Sequence, residues 1–148
     1  MTETADKIVK WYHQGFGCSQ ILLLLGLEAQ GVSNPGLVRA MAGLAGGVGS
    51  SGRLCGALTG GACLIGLYAG RGAVSDAEHD RFYLMMDQLI EWFDSTIGQR
   101  CGGLDCEQVA ECEPVLNGFR PRCCTIVMAT WEKVVEILRH NRIVVPAG

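Results

Sequence analysis

The sequence is poor in charged residues. Asp, Glu, Lys and Arg make up 18% of its 148 residues, and the formal net charge is -3. Proteins that bind nucleic acid contact its phosphates through clustered Lys and Arg, and no such basic excess is present here. The composition therefore argues against a nucleic-acid partner.

Signals for export and for a membrane span are also missing. The first seven residues have neither a basic region nor an apolar core followed by a small-residue cleavage site, so we expect a cytoplasmic protein. The uncharged run between Arg53 and Arg71 is rich in glycine and shorter than the ~20 residues that a membrane-spanning helix needs. We expect no membrane span.

Two common cysteine motifs are absent, although the chain contains eight cysteines. Without a C-x-x-C pair a compact zinc ribbon is disfavoured, and without C-x-x-C-H covalent haem attachment is too. In a reducing cytosol, cysteines serve more often in catalysis, redox chemistry or metal binding than in a permanent disulfide framework. The sequence therefore indicates a cysteine-based function of another kind.

A G-x-G-x-x-G pattern is present at Gly47–Gly52. In dinucleotide-binding folds this pattern follows a β-strand, whereas the preceding segment of this sequence is predicted to be helical. We therefore interpret residues 46–52 as a glycine-rich loop beside Cys55, whose N–H groups can face a sulfur atom or an anion.

What the chain has in quantity is apolar residues, which make up 49% of the sequence. A chain of this length forms one domain with its own core, so residues 1–148 are assigned to a single domain. The low charge also leaves apolar surface for a second copy. A homo-oligomer is therefore expected.

The periodicity of apolar residues predicts helices only. The long helix has a capping box formed by Ser75 and Glu78, and Asn34 or Ser33 caps a shorter helix that has Pro35 at its start. We expect an all-α fold, a compact bundle of about five helices with a cysteine-rich loop before the last one. The predicted helical segments are residues 6–12, 18–28, 36–44, 54–68, 75–97 and 125–139.

Several cysteines lie where helices are predicted to begin. Cys18 and Cys55 open apolar segments, and the partial positive charge at a helix N-terminus favours the thiolate. Cys63 lies two turns inside an apolar helix and is expected to pack in the core. If the helices form a bundle, thiols far apart in sequence can meet at one of its ends.

Four elements of the sequence resemble the C_GCAxxG_C_C family, which is described as redox-active. They are Cys18-Ser-Gln before an apolar helix, the motif Cys55-Gly-Ala-Leu-Thr-Gly60, a cysteine after the long helix and a cysteine opening the last helix. The resemblance spans most of the chain, and the central motif fits the family's CGAxxG pattern without exception.

This resemblance implies a site of four cysteines. Cys18 and Cys55 match the first two. Either Cys106 or Cys101 is the third, and either Cys123 or Cys124 is the fourth. Cys63 and Cys112 are additional to the four cysteines that characterise the family.

Two chemistries suit four converging cysteines. In the first, they bind an iron-sulfur cluster or another metal for electron transfer. Backbone N–H groups such as those of Gly52 and Gly56 then tune the reduction potential of the cluster. In the second, Cys55 attacks a disulfide and another cysteine resolves the intermediate, with Cys18 as the other catalytic candidate and residues 101–124 supplying resolving thiols. The missing C-x-x-C pair favours the first.

Two further functions stay open at this point. The same cysteines can bind zinc without turnover, or they can be core residues of an oligomer. The sequence names no redox partner and does not establish an enzyme. His13, His79 and His140 are scattered and are expected to be exposed or locally hydrogen-bonded.

Overall fold

The computed structural model describes residues 2–112 and 122–146, without the side chains of Arg122 and Cys123. The secondary-structure elements of these residues are all helices. The described residues form no β-strand, only an isolated antiparallel bridge between Leu54 and Asp105. The all-α class is confirmed. The helices are α1 (Glu3–His13), α2 (Cys18–Gln30), α3 (Pro35–Met41), α4 (Gly56–Ala69), α5 (Phe82–Phe93), α6 (Gln99–Cys101), α7 (Cys106–Cys112) and α8 (Arg122–His140).

The described ranges hold more helices than expected. Seven have seven residues or more, against about five, and α6 is a short turn that continues α5 through a π-helical turn at Asp94–Gly98. Six of them correspond to the six predicted segments, and the seventh, α7, forms within the cysteine-rich stretch that was expected to be a loop. Its buried apolar side chain, Val109, holds it against the core.

The predicted start of the long helix is wrong. Ser75 does not cap it, since α5 begins at Phe82 and no side chain caps its first turn. Two local side-chain interactions hold the backbone before α5 in turns instead. The Arg71 guanidinium donates to the carbonyl of Ala73 at 3.1 Å, and the Asp76 carboxylate accepts the Gly72 N–H at 3.1 Å.

The start of α3 follows the sequence prediction closely. The Asn34 side chain accepts the Leu37 N–H at 3.1 Å, and Pro35 is the first helical residue. Proline suits that position because its missing N–H would have no acceptor within the helix. The helix ends at Met41 and tightens into a 3-10 turn at Ala42–Leu44.

Helices α2 and α4 pack against each other at the centre of the fold, and α1, α5 and α8 pack around them. The core between these helices is apolar. Its fully buried side chains include Leu22 of α2, Leu64 and Ile65 of α4, Phe93 of α5 and Val134 of α8.

Two glycines allow α2 and α4 to touch along their backbones. A Cβ on Gly60 would lie 2.8 Å from the Cα of Ser19, and one on Gly56 would lie 3.6 Å from the Ser19 nitrogen. Ser19 is fully buried, and its hydroxyl donates to the carbonyl of Met41 at 2.8 Å. Because Cys18 precedes Ser19 and Cys55 precedes Gly56, this contact also brings the two cysteines together.

Within residues 2–112 and 122–146, no helix combines the length and the apolarity needed to cross a bilayer.

Large apolar side chains are exposed on α5 at Tyr83, Leu84 and Ile90. The single domain and the homo-oligomer stay predictions.

Replacing Gly60 with alanine tests the helix contact. The added Cβ meets backbone atoms of α2, so Gly60→Ala should lower the free energy of unfolding by about 1–3 kcal/mol, as overpacked cores do. Denaturant unfolding followed by circular dichroism measures this change.

Gly66→Ala is the matched control on the same helix. A Cβ there meets no described atom within 4 Å, so the better helix propensity of alanine should raise the free energy of unfolding by up to about 1 kcal/mol. Equal effects of the two variants would contradict the close contact.

Candidate functional site

A cavity of about 210 Å³ lies where α2, α4 and α7 begin. The structure thus brings together three of the predicted site cysteines, Cys18, Cys55 and Cys106. The cavity is lined by Tyr12, Gly17, Cys18, Gly46, Cys55, Gly56, Ala57, Cys106, Val109, Ala110 and Ile126.

Each of the three cysteines stands at the start of a helix. Cys18 is the first residue of α2, Cys55 directly precedes the first residue of α4, and Cys106 is the first residue of α7. The first N–H groups of a helix have no acceptor within it, and they concentrate partial positive charge. The long helices α2 and α4 therefore both direct the positive ends of their dipoles toward the cavity.

Backbone pairing sets Cys106 beside Cys55. The segments 52–55 and 104–107 run antiparallel around the pair formed by Leu54 and Asp105. Such pairing depends on a contact between segments some 50 residues apart, and it is short enough to leave no strand pattern in the sequence. The hydrogen bonds run from Cys55 N to Leu104 O at 2.9 Å, from Glu107 N to Gly52 O at 3.2 Å, and from Cys106 N to Arg53 O.

The glycine-rich loop supports this pairing through Gly47. Gly47 has a left-handed φ of +72°, and a Cβ on it would lie 2.6 Å from the Arg53 nitrogen and 2.7 Å from the Cys106 Cβ. Its carbonyl accepts the Arg53 N–H at 2.9 Å and the Ser51 hydroxyl at 2.8 Å. Only a residue without a side chain fits between these groups.

The G-x-G-x-x-G pattern follows a 3-10 turn and not a strand, as expected for a local loop. Gly46, which directly precedes the pattern, lines the cavity, and so does Gly56. Gly52 is not among the lining residues, and its carbonyl accepts the Glu107 N–H in the backbone pairing.

Gln20 holds the start of α2, and the sequence prediction missed it. Its side-chain carbonyl accepts the Gly17 N–H at 3.0 Å, and its amide nitrogen donates to the carbonyl of Val38 at 3.1 Å. The spacing of Gly17 and Gln20 is that of a capping box, but Gly17 lacks the N-cap side chain that completes the pattern, so only its Gln half was visible in the sequence. Tyr12, Val109 and Ile126 also line the cavity, and no local sequence pattern distinguishes them from other apolar residues.

Cys101 does not join the other cysteines, because it forms a disulfide with Cys112. A sulfur atom in a disulfide has no thiolate to offer a metal ion. Of the two candidates for the third position, the structure places Cys106 at the cavity and Cys101 in this disulfide.

Among the described side chains, Cys63 and Cys124 do not line the cavity. Cys63 is half-buried on α4, and burial raises the pKa of its thiol above the ordinary value. Cys124 is half-buried and packs against the core from the first turn of α8. The side chain of Cys123 lies outside the described residues, so the identity of the fourth cysteine stays a prediction.

No preformed site for a single metal ion occurs among the side chains that the structure describes. Within them, no group of three or more His, Cys, Asp or Glu residues is arranged to hold one ion. The three cysteines instead surround a space between them. Metal binding stays a prediction.

The comparisons with known proteins identify one family. A family model described as "Putative redox-active protein (C_GCAxxG_C_C)" matches residues 16–137. Neither the curated proteins nor the solved structures gave a match. The matched region runs from just before α2 into the last turn of α8 and includes all the helix starts at the cavity. The chain therefore belongs to the C_GCAxxG_C_C family.

Proposed function

We propose that the cavity is a redox centre in which the cysteines bind an iron-sulfur cluster for electron transfer. The observation that supports this proposal is the placement of Cys18, Cys55 and Cys106, from three separate helices, around one cavity of about 210 Å³. Membership of a family described as redox-active agrees with it.

The spread of the cysteines around one cavity supports a cluster in preference to a single zinc ion. A structural zinc ion needs four ligands, with sulfur about 2.3 Å from the metal, and no such group is assembled among the described side chains. Iron-sulfur clusters also take cysteine thiolates, but the ligands are spread around a group of several atoms. Cysteines that line a shared cavity meet that requirement.

A fourth ligand can come from the start of α8. Ile126 of this helix lines the cavity, and Cys123 and Cys124 precede it by three and two residues. Both cysteines precede Ile126 by less than one helical turn, so either of them can supply the fourth ligand.

The chain's own groups prepare the cavity for an anionic occupant. Gly56 and Ala57, the first two residues of α4, line its wall, and the positive end of α2 meets it at Cys18. Val109 and Ile126 close other sides with apolar surface, which limits the access of water. A bound cluster would supply a one-electron couple, whose potential responds to backbone N–H groups and to solvent access.

Thiol-disulfide exchange is the second candidate function. A Cβ on Gly56 would lie 3.6 Å from the Cys18 Cβ, so Cys18 is close to the start of α4 where Cys55 stands. In this reaction the Cys55 thiolate attacks a partner's disulfide, and the Cys18 thiol then attacks the mixed disulfide. The partner leaves as a dithiol, and a disulfide remains in the cavity.

Anaerobic purification with three serine variants tests the cluster. The wild-type protein should be brown and contain iron and acid-labile sulfide, and Cys18→Ser, Cys55→Ser and Cys106→Ser should each lose most of both. Iron and sulfide assays with visible spectra measure this. Cys63→Ser is the matched control and should keep the wild-type content, because Cys63 does not line the cavity. A colourless, metal-free wild-type protein would favour exchange.

The environment of Cys63 predicts how its alkylation depends on pH. Because burial raises the pKa of this thiol, less thiolate forms at a given pH in the folded protein than in the unfolded chain. The rate of alkylation by iodoacetamide should therefore reach half its maximum at a higher pH in the folded protein. Mass spectrometry of the Cys63 peptide in buffer and in guanidinium chloride measures both profiles, and coincident profiles would contradict the prediction.

Gly47→Ala should reduce the cluster content several-fold, because the new Cβ displaces Arg53 or Cys106. Gly49→Ala separates this clash from backbone strain. Gly49 also has a left-handed φ, +58°, but a Cβ there meets no described atom within 4 Å. Iron per protein, measured beside thermal unfolding, should fall in the first variant and not in the second. Equal loss in both would show that strain alone is responsible.

A further inference from the structure

The disulfide between Cys101 and Cys112 encloses the segment that carries Cys106. Its Cα atoms are 5.2 Å apart, and it joins the end of α6 to the end of α7. Cys106, Val109 and Ala110, which lie between the two half-cystines, all line the cavity. The state of this bond therefore bears directly on one wall of the site.

Helix α7 depends on external contacts for its stability. It has seven residues, and isolated helices of that length are not stable in water. Backbone hydrogen bonds from Cys106 and Glu107 to the segment 52–53 hold its start, and the buried side chain of Val109 holds its middle. The disulfide holds its end.

The disulfide is also within reach of a thiol reagent. Both Cys101 and Cys112 are only partly buried. Thiol-disulfide exchange requires a thiolate to approach a sulfur atom, and accessible disulfides are the ones that are reduced readily.

We propose that Cys101–Cys112 is a second redox site, a disulfide reduced by a dithiol, and that its reduction loosens the end of α7, where Val109 and Ala110 line the cavity. One thiolate of the dithiol attacks a sulfur of the disulfide, the S–S bond breaks, and a mixed disulfide forms. The second thiol of the dithiol then attacks this mixed disulfide. The dithiol leaves as a disulfide, and Cys101 and Cys112 gain two electrons and two protons as thiols.

The consequence for the cavity follows from the anchoring of α7. Once its end is released, the last turn of α7 loses its covalent link to α6, so the cavity wall at Val109 and Ala110 becomes mobile. The backbone hydrogen bonds of Cys106 and Glu107 still hold the first turn. This regulation rests on the proposed function for its biological meaning, but the motion of α7 does not require a bound cluster.

Hydrogen exchange of the full chain tests the proposal. In air-purified protein, peptide mapping should show the link between Cys101 and Cys112. On addition of dithiothreitol, amides at residues 109–112 should exchange about tenfold faster or more, while amides in the middle of α2 should change less than twofold. Mass spectrometry of the exchanged peptides gives both rates without reference to iron content.

The double variant Cys101→Ser/Cys112→Ser is the control. Its α7 amides should exchange fast with or without dithiothreitol, while Cys63→Ser should respond as the wild type does. A missing link in the air-purified protein overturns the proposal, as does equal α7 exchange in both states of the wild type. A double variant that still responds to dithiothreitol also overturns it, since the response would then come from other cysteines. A metal-free protein that responds as expected overturns the cluster and leaves this inference standing.

Discussion

The backbone contact between α2 and α4 determines the geometry of the site. Gly56 and Gly60 lie one turn apart on α4, and both face the buried Ser19 of α2. Any side chain at Gly60 would push the two helices apart. Because Cys18 and Cys55 are the immediate neighbours of Ser19 and Gly56, a wider spacing would separate the thiols as well. The family's motif thus combines Cys55 with the two glycines that position it.

The helices at the centre of the fold were predictable because their signals are local. Long apolar runs after Cys18 and around Cys55 identify α2 and α4, and the Asn34 cap with Pro35 identifies α3. The start of α5 was not predictable from its cap pattern, since Arg71 and Asp76 hold the preceding chain in turns. Local capping signals fail where a neighbouring side chain offers the backbone another hydrogen bond.

The choice between Cys101 and Cys106 illustrates a different limit. Both cysteines follow α5 at acceptable spacing, so the sequence leaves them equivalent. Two contacts distant in sequence separate them: the disulfide to Cys112, and the pairing of residues 104–107 with the segment before Cys55. Neither has a local signature. Gly47 is a similar case. It must be glycine because Arg53 and Cys106, which are distant from each other in sequence, occupy the space that its side chain would need.

The cysteines at the cavity come from segments separated by roughly 40 and 50 residues, counted along the chain from Cys18 to Cys55 and on to Cys106. An unfolded chain cannot present them together, as it could the closely spaced thiols of a C-x-x-C motif. A group that needs all three therefore binds the native state and not the unfolded chain, and by mass action it stabilises the fold. Because the contacts at the cavity span such distances along the chain, the cavity is complete only when the helices have assembled.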